Sequence, residues 1–350
     1  MTKTKILVTG GTGYIGSHTV VTLLQSGYEV VIIDNLSNSD TDVLDGIAQI
    51  SGTKPVFFEG DICKKDDVNR VFAEHRDIEA IIHFAALKAV GESVEFPLKY
   101  YYNNVGGLIS LLEASFNNNV KAFVFSSSCT VYGQPDRLPV DETAAIRPES
   151  PYGNTKWVNE EILKHTVASG IGMKALSLRY FNPIGAHPSA LIGELPLGVP
   201  NNLLPFITQT ACGVRDKLKV FGNNYNTPDG TCIRDYIDVN DLAEAHVKAL
   251  EYLLKPESEP YDVVNLGTGK GVSVLEIVSA FEKSTGVTLN YTIGNRRPGD
   301  VEQVWASTSK AEAMLHWKAT RSLNDTVLSA WNWEKHYRSY LLSHTGDIYF

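Results

Sequence analysis

The sequence predicts an α/β protein: a Rossmann-type, doubly wound parallel sheet with a smaller substrate-binding domain toward the C-terminus. Three observations predict it. Residues 5–35 read strand, glycine-rich turn, helix, strand. Strand-like runs then recur at PVFFEGD, AIIHFAA and AFVFSSS, each closed by small or polar residues and separated by helical stretches. The Pro- and Gly-rich stretch GAHPSALIGELPLGVP breaks that alternation and marks a change of architecture.

The first unit is the most informative. Ile6 to Val8 form a short buried strand. Ile15, Val20, Leu23 and Leu24 fall at helical spacing, and Gly27 is placed to cap the helix. EVVIID is the second strand. The turn between holds Gly10, Gly13 and Gly16, and also fits Gly11-x-Gly13-x-x-Gly16. One glycine makes the turn, one lets the backbone approach a pyrophosphate, and one lets the helix pack on the strand, while free N–H groups at the helix start receive the anion. Asp34 ends the second strand 18 residues after Gly16. A carboxylate there accepts the ribose hydroxyls of NAD and repels a 2′-phosphate. A bare glycine triplet is more often a structural turn, but strand, helix, strand and terminal acid together specify dinucleotide binding.

In a doubly wound sheet the ligand lies at the carboxyl ends of the strands. Asp61, Ile62, Phe84, Ala85, Lys88 and Ser126 to Ser128 are therefore expected along one edge. The cofactor domain is expected at residues 1–185, with a return of the chain near 232–267, where YDVVNLG reads as a further strand. Residues 186–350 form the second domain. NLGTGKG resembles a phosphate loop, but Gly271 follows Lys270 where such a loop needs Ser or Thr, so it reads as a turn ending a strand.

Composition excludes several classes. Against 31 Lys and Arg stand 40 Asp and Glu, a net charge of −9, which lacks the basic face that nucleic acid requires. No run approaches the ~18 apolar residues of a membrane span. The apolar run Ile6 to Val8 is too short for a signal peptide. Cys63, Cys129, Cys212 and Cys232 are scattered without metal-like clustering, which predicts reduced thiols, a cytoplasmic location and no metal.

The segment SPYGNTK carries the chemistry. Ser150 can cap a helix whose first residue is Pro151. Tyr152 then sits in the first turn with Lys156 on the same face. A phenol acting as a base at neutral pH must drop by about 3 pKa units, roughly 4 kcal/mol. An ammonium, a helix N-terminus and a cationic nicotinamide all push that way. Alone, such a Tyr and Lys pair is structural more often than not; behind a dinucleotide site it is catalytic. Ser128 is the expected partner of the reacting oxygen. Cys129 beside it reads as a packed residue, because no histidine neighbours it in sequence to activate it.

TGGTGYIGSH, HFAALKAVGES, YYNNVGGL, FSSSCTVYG, SPYGNTK, RYFNPIGAHPS, PNNLLPF, DGTCIRDYIDVNDLA, NLGTGKGVSV and RRPGD together resemble the UDP-galactose (UDP-glucose) 4-epimerases of the extended short-chain dehydrogenase/reductase family. The resemblance runs from about residue 4 to 335, and LKAVGES, RYFNPIGAHP and DGTCIRDYI are its specific parts. It implies an NAD held as a prosthetic group. Tyr152 would take the O4′ proton while hydride leaves C4′, and the 4-keto sugar would turn over and take hydride back on its other face. Ser128, Tyr152 and Lys156 would be catalytic. NAD would meet Gly10, Gly13, Tyr14, Ile15, Gly16, Asp34, Asn35, Asn38, Ser39, Asp61, Ile62, Phe84, Ala85, Lys88, Asn103, Ser126, Tyr152, Lys156 and Tyr180. The UDP-sugar would meet Ser128, Tyr152, Phe181, Asn182, Asn202, Leu203, Lys219, Val220, Phe221, Arg234, Tyr236, Arg297 and Asp300. Arg234 and Arg297 suit a diphosphate through paired guanidinium bonds.

Val304 corresponds to a wall of the sugar pocket that is tyrosine in narrower members. Valine there implies acceptance of UDP-GlcNAc and UDP-GalNAc as well as UDP-glucose and UDP-galactose. The resemblance also implies a homodimer. A nucleotide-sugar 4,6-dehydratase of the same fold is the nearest rival. It would need an acidic pair after Ser128, where this chain has Cys129 and Thr130. A net dehydrogenase and a non-catalytic NAD-binding regulator are the others; intact Ser128, Tyr152 and Lys156 oppose the last.

Overall fold

The computed structural model describes residues 3–297 and 300–345. Seven parallel strands form the central sheet: β1 (Lys5–Thr9), β2 (Glu29–Asp34), β3 (Val56–Glu59), β4 (Ile78–His83), β5 (Ala122–Ser128), β6 (Lys174–Tyr180) and β7 (Tyr261–Leu266). Their spatial order is β7-β6-β5-β4-β1-β2-β3. The order reverses between β1 and β4, which opens a crevice beyond their carboxyl ends.

Strand alternation builds two cores. Ile6 and Val8 of β1 face the helices Tyr14–Gln25 and Val239–Leu253 through Val20, Leu23, Leu242 and Leu250. Leu7 faces the opposite way, toward Val71 and Phe72 of Lys65–Glu74, Leu111 of Gly107–Asn117 and Leu163 of Pro151–Ala168. Central strands are buried on both faces, hence their continuous apolar runs.

β7 arrives after a long excursion and pairs in register with β6, Val264 opposite Leu178. The excursion and the C-terminal segment build a second core from Leu204, Ile207, Val220, Phe281, Val327 and Trp331. Two small sheets extend over the crevice. Leu218–Phe221 pairs with Tyr291–Gly294, and Ile233–Arg234 lies between Val272–Ser273 and Gln303–Val304.

Among the described residues no helix is long and apolar enough to cross a membrane.

Candidate active site

A cleft of 2310 Å³ runs along the carboxyl edge of the sheet. At its floor Gly10 takes φ +69°, and an added Cβ would lie 2.7 Å from the Ala85 backbone N. Only glycine fits that turn. A Cβ on Gly16 would come within 2.9 Å of Gly11 Cα, so the helix rests directly on the turn. That helix begins after Gly13 with no side-chain cap, which leaves its first amides to an incoming anion. Asp34 lines the cleft at the end of β2, accepting from Thr12 N at 3.2 Å and Leu36 N at 3.0 Å. This cradle fits a dinucleotide with an unphosphorylated ribose.

Every expected cofactor position lines the same cleft: Tyr14, Ile15, Asn35, Asn38, Ser39, Asp61, Ile62, Phe84, Lys88, Asn103, Ser126 and Tyr180 join the glycines and Asp34. Ser127, expected on the same sheet edge as Ser126 and Ser128, does not line it. It lies between Ser126 and Ser128 on β5, so its side chain points to the other face of the sheet, where Oγ donates to Glu160 Oε1 at 2.5 Å.

The residues expected to be catalytic sit on β5 and the Pro151–Ala168 helix. Ser150 caps that helix, its Oγ accepting from Gly153 N at 3.1 Å, and Pro151 opens it. Lys156 Nζ donates to the Ser126 carbonyl at 2.6 Å and lies 5.8 Å from the Tyr152 ring centroid. Ser128 Oγ accepts from Thr130 Oγ1 at 3.0 Å and Thr130 N at 3.2 Å.

The expected depression of the tyrosine is not found in the protein alone. Burial pushes Tyr152 up to about 12, although a hydrogen bond with Ser128 works against it. Burial also pulls Lys156 down to about 7, partly offset by the charge of Glu160. For Tyr152 desolvation outweighs the Ser128 hydrogen bond, a balance that sequence spacing cannot display.

The far half of the cleft collects Phe181, Asn182, Asn202, Leu203, Lys219, Val220, Phe221, Arg234, Tyr236, Arg297, Asp300 and Val304. Asp300 Oδ1 lies 2.6 Å from Arg297 Nη2 and 3.9 Å from Arg234 Nη2, which brings two guanidiniums together. The exposed Phe221 ring sits 5.3 Å from Lys219 Nζ and 5.7 Å from Arg297 Cζ, a flat face bordered by cations. Val304 pairs in register with Arg234 and packs beside Phe181 and Val131, yet still borders the cleft. NLGTGKG is a turn: the Asp235 carboxylate accepts from Thr268 N at 2.8 Å and Gly269 N at 3.1 Å, so those amides hold no phosphate.

Three residues have a place at the site that the sequence did not assign them. Glu194 sits between the two halves, accepting from Asn202 Nδ2 at 2.5 Å and lying 3.4 Å from Lys88 Nζ. Thr130 orients Ser128. Asn104 lies in a π-helical turn, Tyr101–Gly106, and donates to Leu87 O and to Thr155 Oγ1, each at 3.0 Å. It ties the loop after β4 to the Pro151–Ala168 helix. The paired asparagines of YYNNVGG were the only visible signal.

A family model described as GDP-mannose 4,6 dehydratase matches residues 7–329. The UDP-glucose 4-epimerase of Bacillus subtilis (strain 168) is 52% identical over 329 residues, covering 94% of this chain and 96% of that protein. The chain belongs to the UDP-glucose 4-epimerase family. The UDP-glucose 4-epimerase of Stenotrophomonas maltophila, solved with bound NAD and formylated UDP-arabinopyranose, superposes with a TM-score of 0.93 at 48% identity, covering 96% of this chain and 99% of that one. That of Bifidobacterium longum, solved with NAD+ and UDP, gives 0.91 at 44% identity, covering 95% and 98%. The dehydratase description of the family model does not extend to the chemistry. The two positions after Ser128 hold a half-buried thiol, which desolvation pushes up to about 12, and a hydroxyl already spent on Ser128, whereas epimerases need no acid there.

Proposed function

We propose that this protein interconverts UDP-glucose and UDP-galactose through a 4-keto intermediate, with NAD retained between turnovers. The observation that carries this reading is the meeting of Ser128, Tyr152 and Lys156 where the dinucleotide cradle joins the Arg-rich half of the cleft. When bound, NAD supplies a hydride acceptor for the sugar C4′ and a positive ring whose field favours the Tyr152 phenolate. Tyr152 holds the O4′ proton during the keto stage and gives it back. Ser128 donates to the same oxygen, its orientation set by Thr130. Lys156 supports the phenolate and the ribose. Arg234 and Arg297 pair with the diphosphate, and Phe221 offers its face to the uracil.

Purified protein incubated with UDP-galactose and no added NAD is expected to yield UDP-glucose without accumulating reduced nicotinamide. A 4-keto-6-deoxy product, or a strict need for added NAD, would overturn this reading.

The sugar pocket extends the substrate range. Val304 leaves open the volume that a tyrosine ring would fill, and a wall rejects a larger sugar far more strongly than a roomy pocket rejects a smaller one, about 1–3 kcal/mol per missing contact. UDP-GlcNAc and UDP-GalNAc are therefore substrates as well. Val304→Tyr is expected to lose the N-acetyl reaction and keep the hexose reaction. Wild type that leaves UDP-GalNAc untouched would refute the steric reasoning.

The protein works as a homodimer in the cytosol. Val94, Phe96, Leu98, Tyr102 and Phe116 are exposed along one stretch of chain, a run of apolar surface that association would cover. The four thiols are free, as a reducing compartment keeps them.

A further inference from the structure

Behind the catalytic group, on the face of the sheet away from the cleft, lies a buried ion pair that the reaction above does not use. Glu160 stands one helical turn after Lys156 on the same helix. Its carboxylate accepts from Arg179 Nε at 2.9 Å, from Arg179 Nη2 at 2.5 Å and from Ser127 Oγ at 2.5 Å. Ser127 of β5 and Arg179 of β6 are register partners in the sheet. One carboxylate therefore grips two adjacent strands at one level. Ser127 is flanked by Ser126, whose carbonyl receives Lys156 Nζ at 2.6 Å, and by Ser128. Glu160 and Arg179 are 1% and 3% exposed, so neither charge is there for solubility.

Arg179 has a second grip. Its Nη1 donates to Tyr132 Oη at 3.0 Å, and Tyr132 donates to Asn265 Oδ1 at 2.7 Å. Asn265 Nδ2 donates to Val140 O at 3.0 Å, and Val140 N to Trp305 O at 2.9 Å, next to Val304. Burial alone would weaken the guanidinium charge, but the bonds and charge of Glu160 more than reverse it.

A purely structural site would be served as well by apolar packing, because desolvating an ion pair offsets its attraction. What packing cannot supply is a directional clamp on Ser127, between the two residues that hold Lys156 and act with Tyr152. We propose that Glu160 and Arg179 are positioning residues for the reaction: the pair docks the catalytic helix on β5 and β6 at the height that presents Lys156 to Ser126 and Tyr152 to Ser128. This rests on the epimerase reading of the site.

Glu160 also bears on the charge of Lys156. The other titratable groups shown against that lysine are Tyr152 on its own helix and His83 on β4; Tyr180 on β6 and Cys129 after β5 act on Tyr152, and Arg179 on β6 bonds Glu160. Burial pulls His83 down to about 3, with the Lys156 charge adding to the effect, so it stays neutral near pH 7. Glu160 is the group whose charge raises Lys156 against burial. Glu160→Gln removes that anion and leaves the Arg179 cation unopposed, so Lys156 loses its proton at lower pH.

The test uses the NAD-containing protein, with UDP-galactose as substrate, on wild type, Glu160→Gln, Arg179→Lys and Ser127→Ala. Wild type must epimerise, or the reading beneath the proposal fails first. Given that, Glu160→Gln is expected to lower kcat about 10- to 100-fold, in the range of supporting-shell losses, with KM within about twofold. The alkaline limb of its kcat profile moves to lower pH. Arg179→Lys keeps the charge and loses the fork, so kcat falls while the limb stays. Ser127→Ala deletes one hydroxyl, folds, and lowers kcat several-fold at unchanged KM. It carries the test if Glu160→Gln does not fold. Wild-type kcat in Ser127→Ala, or wild-type kcat and pH profile in folded Glu160→Gln, would overturn the proposal and leave the pair structural.

Discussion

Replacing Lys156 by methionine is expected to end activity and, between pH 7 and 9, to change the stability of the NAD-free protein in a pH-dependent way. The lysine is 3% exposed, and burial lowers it from 10.5 to about 7. A base whose folded value is depressed destabilises the fold at every pH below its unfolded value. The full penalty applies below about pH 7 and fades as pH climbs toward the unfolded value, because only the unfolded chain then still binds the proton. Integrating that window gives about 4 kcal/mol at pH 7 and about 2 kcal/mol at pH 9. Methionine escapes this penalty but leaves the Ser126 carbonyl without its donor, at a cost of about 1–3 kcal/mol that does not vary with pH. The variant should therefore be the more stable protein at pH 7 and close to wild type at pH 9. With 350 residues and ~2.1 cal/mol/K of unfolding entropy per residue, the pH-dependent difference of about 2 kcal/mol equals a Tm change of about 3 °C. Thermal scans of both proteins, stripped of NAD because bound ligand stabilises on its own account, measure it. A difference in Tm between variant and wild type that stays constant from pH 7 to 9 would show that Lys156 carries no desolvation penalty.

Other expected outcomes follow from the same site. Tyr152→Phe should keep its NAD, measured by absorbance of the released cofactor, and lose about 10²–10⁴ in kcat, the range of a general base; near-wild-type turnover at pH 7 would remove the tyrosine from its role. Asp34→Ala should weaken NAD binding and narrow the preference over NADP, since the carboxylate that repels a 2′-phosphate is gone; an unchanged preference by calorimetry counts against it. Both leave the core intact, because each side chain lines the cleft.

The fold was legible where burial forces pattern. EVVIID and AFVFSSS had to be strands because central parallel strands are covered on both faces, and they became β2 and β5. SPYGNTK was legible because capping and i+4 spacing are local. What stayed hidden depends on contacts distant in sequence. Glu194 reads as one acid in a loop, and only the fold sets it between Lys88 and Asn202. Glu160 and Arg179 carry no motif that marks them, yet both are buried. Ser127 looked like its neighbours, because a triplet of serines conceals the alternation of a strand. The direction in which burial moves Tyr152 in the protein alone was hidden for a related reason: spacing reveals which charge is near, but not how much water is missing.

The late arrival of β7 bears on how the chain is made. β6 can pair with β5 as soon as it is synthesised, but its other edge waits for Tyr261, 81 residues after Tyr180 (261 − 180). At about 5–20 residues per second, a ribosome leaves that edge open for about 4–16 s. During this interval KALSLRY, buried in the finished protein from Ala175 to Tyr180, presents unpaired N–H and C=O groups to any other nascent chain. A fragment ending near residue 185 would carry that open edge permanently.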